Sequence, residues 1–407
     1  MSCWFQRSWV ASIFPGAGQM KRHMSRFEQG LQQLDPLTVA TALGFATALA
    51  WLVAAIGADT PRALRFEHAL SDFRTALLSD QRPTQHPRLA AVLVDERTLR
   101  DEPYSSPIDR GVLARLVAKL DTLDPKAIAV DISFYKPTEP AKDAALIAAL
   151  RDAKSPVIMA AGDRRSEIDG DERAFQAAFL GRISRPAGFV NLDRDRDDVT
   201  RWKLPSATGS DFPKSFAALI AQVDGAADGE PTGRIAWLRR AADGTDAFFS
   251  VKAEDLIGPA ALPALAPLLR DRLVLIGGRF ADRDRHRVPL FASDSENQST
   301  QIHGVFLHAH VVAQILDGRS VRELSHVPVV LVLGFLGFCL GWLFHANSFS
   351  WLVGGLATGG IILADLVLFW YLRRIVPYTP ATIAWFVSAF AGYGCARLVR
   401  GLRRADP

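Results

Sequence analysis

Three aspartates each follow a short apolar run that reads as a buried strand: Asp95 after LAAVLV, Asp131 after AIAV, and Asp163 just past VIMAA. A carboxylate at the carboxyl end of a parallel strand stands where open α/β sheets receive their ligands. Gly277-Gly278 closes another such run, LVLI, but a third glycine and the spacing of a dinucleotide loop are missing. A tight turn is therefore expected there. Ser133 lies two residues past Asp131, yet no G-x-S-x-G elbow frames it, so hydrolysis is the weakest of the readings. No His-Glu-x-x-His or other compact ligand motif occurs, and neither a metal nor a cofactor is expected. The competing reading gives the acids to the backbone, as helix caps and turn holders.

These residues need elements to position them. Leu89–Val94, Ala127–Val130, Val157–Ala161 and Leu273–Ile276 are short, apolar and rich in branched residues, as buried strands are. Between them, Val112, Leu113, Leu116, Val117 and Leu120 mark one face of a helix that Asp109 is placed to cap. Further helices are expected over Ala141–Asp152, Phe216–Val223 and Leu262–Arg270. A last one carries Val305, Ala309, Val312, Ala313 and Leu316 and is closed by Asp317-Gly318. Ile235–Leu238 and Phe248–Val251 read as additional strands. The stretch Gly162 to Asp211 is charged and poorly patterned, an insertion with one strand at Gly188–Asn191. Strands alternating with helices imply an α/β domain, a parallel or mixed sheet with helices on both faces.

Outside this region the chain is greasy. Leu37–Gly57 holds no charge and is long enough, at 1.5 Å per residue, to cross a hydrocarbon core of about 30 Å. Residues 327–344, 349–372 and 375–396 repeat the pattern, which predicts four transmembrane helices. The length of the first span and its distance from the start favour an uncleaved anchor over a signal peptide. Arg7, Lys21, Arg22 and Arg26 precede it, and Arg397, Arg400, Arg403 and Arg404 follow the last span, so both termini are expected in the cytoplasm. Residues 1–36 form a partly disordered N-terminal segment in which Met20 and Met24 are alternative starts. Residues 58–326 then form an extracytoplasmic domain, and residues 397–407 a short cytoplasmic tail.

The 407 residues carry 47 Lys/Arg and 43 Asp/Glu, net +4. Ten of those bases but only four of the acids lie in the spans and flanks, so the middle of the chain is slightly acidic. The basicity belongs to the membrane ends, not to a nucleic-acid face. The cysteines, Cys3, Cys339 and Cys395, are too few and too peripheral for a disulfide framework.

The spans contain two GxxxG patterns, Gly337 with Gly341 and Gly355 with Gly359, which permit close helix approach. Packing within the bundle and a homodimer are the two uses open to them. Asp365 is the one acid deep in a span and must be paired. A hydrogen bond to Thr382 or Trp385 is expected, with a signalling role as the alternative.

The order of blocks resembles the CHASE2 domain family, extracytoplasmic sensory modules of bacterial membrane receptors. FEHALSDFRTAL with Asp72 and Arg74, LAAVLVDERTL with Asp95, SPIDRGVLARLVAKL with Pro107 and Arg110, and AIAVDISF with Asp131 are similar to its first half. RLVLIGG, then DRHRVP with Asp284, His286 and Pro289, then HGVFLHAHVVAQIL with Gly304, His308 and Ala309 resemble its closing block. Phe291–Gln301 departs from the pattern by its length and polarity, and Arg279 replaces a small residue. The resemblance implies that Asp95, Arg110, Asp131, Asp284, His286 and His308 converge on a polar pocket, for an organic or anionic ligand. Two carboxylates and two imidazoles would also suit a divalent metal by type.

Receptors of this family carry a cytoplasmic output domain after the last helix, and the eleven residues from Arg397 are too few to fold as one. The resemblance thus implies a sensor in the bacterial inner membrane, not an enzyme. Its signal, a small molecule or a periplasmic protein, would pass to a separate effector. An envelope scaffold and a periplasmic hydrolase are the rival readings.

Overall fold

The computed structural model describes residues 60–227, 232–258, 262–289, 301–345 and 350–405, with eight helical positions between 41 and 53. Two compact units divide the chain: Ser71–Arg322 is one, and Met1–Leu70 with Glu323–Pro407 is the other. Most of the first expected span, the segment 1–36 and most of the loop Phe291–Gln301 lie outside the described residues.

The larger unit is built on six strands: β1 (Leu89–Val94), β2 (Ala127–Asp131), β3 (Val157–Ala161), β4 (Ala187–Phe189), β7 (Phe249–Lys252) and β8 (Leu273–Gly278). Their order is β4-β3-β2-β8-β1-β7, and every pairing is parallel. All six residues of β1 and of β8 are buried, because helices cover both faces. Ala90, Val92 and Val94 point into one core, with α2 (Arg110–Asp121), α3 (Pro140–Asp152) and α4 (Gly170–Ile183). Leu89, Ala91 and Leu93 enter the other, with α5 (Phe216–Val223) and α8 (Gly304–Leu316). Two shorter helices, α6 (Ala253–Ile257) and α7 (Leu262–Leu269), connect β7 to β8. Each aliphatic side chain so buried contributes about 1.5–3 kcal/mol, so the continuous apolar runs are what fix the sheet.

Local chemistry sets the helix ends. The Asp109 carboxylate accepts from Val112 N at 3.0 Å, as its position before α2 predicts. The helix α4, inside the stretch that the sequence left unread, starts with a capping box in which Asp169 and Glu172 satisfy each other's backbone amides.

The expected strand over Ile235–Leu238 is not one. Two short strands, β5 (Trp202–Lys203) and β6 (Gly233–Arg234), pair just before it. The next four residues are buried, with side chains of α8 and beyond in place of a ladder. Gln314 Oε1 accepts from Ala236 N at 2.8 Å, His310 Nδ1 accepts from Leu238 N at 3.3 Å, and the Arg319 guanidinium donates to Ala236 O. The backbone is thus satisfied without a neighbouring strand.

In the smaller unit, α9 (His326–Phe344) and α10 (Ser350–Leu372) end where expected, whereas α11 (Tyr378–Ala405) starts three residues late and runs nine residues past the expected end at 396. Only α9 and the Gly354–Leu372 part of α10 are long and apolar enough to cross a membrane among the described residues. In α11 the residues Thr379, Ser388, Gly392 and Gly394 dilute the apolar face, and four arginines occupy its last turns. The fourth expected span is therefore a helix but not one of that hydropathy.

The two GxxxG patterns behave differently. A Cβ on Gly337 would stand 2.5 Å from Trp385 O, and one on Gly341 would press still closer on Ala389 O, so both glycines seat α9 on α11. Gly355 and Gly359 meet nothing within 4 Å. Asp365 accepts from Val376 N at 3.2 Å, whereas the Thr382 hydroxyl donates to Tyr378 O in its own helix. Glu67, near the start of α1 (Pro61–Leu78), accepts from Tyr378 N at 3.1 Å and Thr379 N at 2.6 Å. It places a carboxylate on the amino end of α11, where the helix dipole favours it.

Candidate ligand-binding site

Asp131 is the last residue of β2 and pairs in register with Gly277 of β8. The two central strands end together at this point, and the chain must turn away on both. Gly277 has no side chain because Val305 of α8 fills the space: a Cβ there would stand 2.5 Å from Val305 Cβ. The close approach of α8 to β8 brings the first turns of that helix over the strand ends.

A cavity of about 740 Å³ opens there, within the size range of small-molecule sites. Arg110, Asp131, Asp284, His286 and His308 all line it, five of the six residues that the family resemblance brings together. The sixth, Asp95, does not. Its Oδ1 accepts from Thr98 N at 3.0 Å and from Thr98 Oγ1 at 2.9 Å, which makes it a turn holder. Asp163 is committed in the same way, to Arg165 Nε at 2.9 Å and to the Arg165 amide at 2.8 Å.

Arg110 lines the cavity but its charge is spent. Its guanidinium donates to Asp143 Oδ1 at 2.5 Å and to Lys136 O, and it lies 4.8–5.5 Å from the ring centres of Phe134, Phe175 and Phe179. With 1% of its surface exposed, it holds the loop after β2 against α3 and α4 from beneath.

Asp284 sits at φ 53°, a left-handed conformation that aspartate tolerates. This turn delivers its carboxylate to the first amide of α8, where Oδ2 accepts from Gly304 N at 3.2 Å. Oδ1 lies 3.0 Å from His286 Nε2, and the buried Nδ1 on the other side of the ring meets no hydrogen-bond partner. Gly304 is obligatory, since a Cβ would stand 2.7 Å from Asp284 Oδ1.

His308 stands one turn into α8, edge-on to Phe216 with ring centres 5.5 Å apart. Its Nε2 is 3.7 Å from Asp131 Oδ1, and both side chains are over 90% buried. Burial pushes the Asp131 carboxyl well above the usual carboxylate range, with the Asp284 charge adding to it. Burial likewise brings the His308 imidazole down to about 4, Asp284 opposing and His286 reinforcing the shift. Burial thus disfavours the charged form of both groups at the base of the site. The four groups Asp131, Asp284, His286 and His308 do not bring three ligand atoms within 4.8 Å of one another, so they are not arranged as a metal centre.

The remaining walls are Pro107, Ile108, Ile132, Phe134, Val190, Leu192 and Phe280, with Ser105, Ser106, Ser133, Tyr135 and Glu172 between them. Glu172 comes from α4 and was not legible as a site residue. Its only signal was the D-x-x-E capping box at Asp169, which locates the start of α4 beside the strand ends.

The buried Arg201, also outside the sequence reading, binds three aspartates at once: Asp72 through two bonds of 2.6 and 2.7 Å, Asp195 at 2.6 Å and Asp197 at 2.7 and 2.8 Å. It fastens the charged stretch to the second half of α1.

A family model described as the CHASE2 domain matches residues 46–346 of this chain. No curated protein and no solved structure matches it. The match covers most of the sequence, and the chain belongs to the CHASE2 family of extracellular sensory domains.

Proposed function

We propose that this CHASE2 protein is a membrane-anchored sensor that takes a small ligand at the strand ends of its extracytoplasmic domain and passes the change to a separate effector protein. The observation that carries the reading is the cavity of about 740 Å³ at the carboxyl ends of β2 and β8, mixed polar and apolar, with a buried carboxyl–imidazole pair at its base. A scaffold without a ligand has no need to bury Asp131 away from any counter-charge, a state that costs free energy.

The anchoring proposed is the four-span arrangement, with both termini cytoplasmic and the domain on the periplasmic side of a bacterial inner membrane. The hydropathy of α9 and α10 supports it, as does the clustering of arginines at the end of α11.

The helix α8 is the element suited to carry the signal. Gly304 and His308 in its first turns line the cavity, and its last residue precedes α9 in sequence by ten positions. A ligand that moves Asp284 or His308 bears directly on this helix. Such a ligand must bind one position of α8 more tightly than the other for any signal to pass. The Glu67 clamp on the amino end of α11 is the matching contact in the smaller unit. No catalysis is proposed for the site.

The test is recovery of the complex. Full-length protein is cross-linked in living cells, purified from membranes, and its neighbours identified by mass spectrometry. An effector retained under inducing conditions is the expected result. The protein recovered alone in every growth condition removes the signalling reading. Thiol labelling checks the topology: a cysteine at the exposed Lys136 should react with an impermeant maleimide in intact spheroplasts, and one at Arg404 only after lysis.

A further inference from the structure

Two polar groups of the site lack a hydrogen-bond partner. Asp131 is enclosed at the end of β2, and its nearest titratable neighbour, His308 Nε2, lies beyond hydrogen-bond length at 3.7 Å. The influences on its charge are burial and Asp284, and neither is a cation. His286, 9% exposed, spends Nε2 on Asp284, and its buried Nδ1 has no hydrogen-bond partner.

The cations that line the cavity each have a partner of their own. Arg110 is locked to Asp143 and the Lys136 carbonyl. Lys136 pairs at 3.1 Å with Glu172, another lining residue, and Arg283 pairs with Asp282 at 3.5 Å. The pocket thus presents the Asp131 carboxyl and the unpartnered His286 Nδ1, with no lysine or arginine paired to either, beside an apolar wall that includes Ile132, Phe280 and Leu192.

We infer that the strand-end cavity binds an organic cation, a primary amine on a compact apolar body, whose ammonium occupies the space between Asp131 and His286 Nδ1. An ammonium brings three donors and no acceptor, the complement of what these two groups offer. It also supplies the counter-charge that the buried carboxyl lacks. The apolar body lies against the wall residues, where its burial contributes in proportion to area. The step is a proton exchange: the neutral Asp131 carboxyl releases its proton to solvent as the ammonium enters, and the carboxylate pairs with it. No bond to carbon or nitrogen changes.

This inference rests on the proposed ligand-binding role of the same cavity, and the experiment separates the two. Full-length protein in nanodiscs is titrated calorimetrically with phenethylamine, with the neutral phenethyl alcohol and with the anionic hydrocinnamate, in buffers of different ionisation enthalpy. The amine is expected to bind one molecule per chain with release of about one proton. Its affinity should rise roughly tenfold per pH unit while the free Asp131 is protonated. The alcohol and the acid should bind at least roughly tenfold more weakly.

Asp131→Asn, an isosteric copy of the neutral carboxyl, should fold, abolish the proton release and weaken the amine by roughly tenfold or more while leaving the alcohol unchanged. His286→Phe should weaken the amine by a smaller factor. Should the Asp131→Asn variant fail to fold, the proton count and the probe ranking on the unaltered protein decide alone. Tighter binding of hydrocinnamate, amine binding without proton release, or no binding of the amine each overturns the cation inference. Binding of hydrocinnamate or the alcohol instead would keep the cavity as a ligand site, while a bound amine with no effector in the cross-linking experiment would keep the chemistry and remove the signalling role.

Discussion

His308 Nε2 lies 3.7 Å from Asp131 Oδ1, and burial disfavours the charged form of both groups. One side chain ends the second strand, and the other stands on the last helix of the domain. The fold brings together two titratable groups from distant parts of the chain and buries more than nine-tenths of each side chain. The stability of the domain is therefore coupled to pH at the same place where a ligand would enter.

The sign of that coupling can be stated for each group. The folded-state pKa of His308 is lowered from 6.5 to about 4, and that of His310, packed edge-on against Trp237 and Phe248, to about 3. Burial is the main cause in both. The unfolded chain binds more protons between pH 6.5 and those values, so stability falls as pH drops through that window, by about 1.4 kcal/mol per unit for each imidazole. Asp131 has the opposite sign: its raised folded pKa gives stability that is full below about 3.8 and lost as pH rises through its own value. Urea unfolding of the full chain at a series of pH values, followed by tryptophan fluorescence, should show the acid-side loss. His308→Gln should flatten it, and Asp131→Asn should raise stability at about pH 8.

Arg110→Ala should be among the most damaging single changes in the domain. It leaves the Asp143 carboxylate, which also accepts from Thr138 Oγ1 at 2.5 Å, without its cation in a nearly closed space. Breaking a buried pair from one side costs about 3–5 kcal/mol. Arg110→Met combined with Asp143→Leu should recover most of that, and equilibrium unfolding of the single and double variants checks it.

Gly277→Ala tests the contact between β8 and α8. The added methyl would stand 2.5 Å from Val305 Cβ and 2.8 Å from Val305 Cγ2. Overpacking of this kind costs about 1–3 kcal/mol. Val305→Ala should restore stability in the double variant although it destabilises alone, and a double-mutant cycle on the melting temperature measures the coupling. Additive effects would show that helix and strand do not meet there.

The two GxxxG patterns should respond unequally to bulk. Gly341→Leu should separate α9 from α11, because even a Cβ would collide with Ala389 O. Gly355→Leu and Gly359→Leu should leave the thermal stability of the monomer in micelles unchanged, since both positions open onto space. The same three variants run on a sizing column show whether the open pair serves a second copy of the chain.

Much of this was written in the sequence. The apolar, branched runs at Leu89, Ala127, Val157 and Leu273 can only be strands covered on both faces, and each is one. Asp109 as a cap and the bounds of α9 and α10 were equally plain, because capping and periodicity are local, whereas α11 runs on past its expected end through the basic residues from Arg397. Asp95, Asp131 and Asp163 all follow strands, and by sequence they were equivalent. The structure commits Asp95 to Thr98 and Asp163 to Arg165, and leaves Asp131 facing a cavity.

That difference could not be read along the chain because it depends on strand order. Inserting β8 between β1 and β2 sets Gly277 beside Asp131 and brings α8 over both. Strand order also explains the strand expected at Ile235–Leu238, whose pairing partners turned out to be side chains of Gln314, His310 and Arg319. Residue type and spacing determined which segments are strands, helices and apolar spans, since those depend on neighbours a few positions away. Tertiary structure alone decided which carboxylate is buried without a paired lysine or arginine, because burial is a property of what packs against a residue from the far end of the chain.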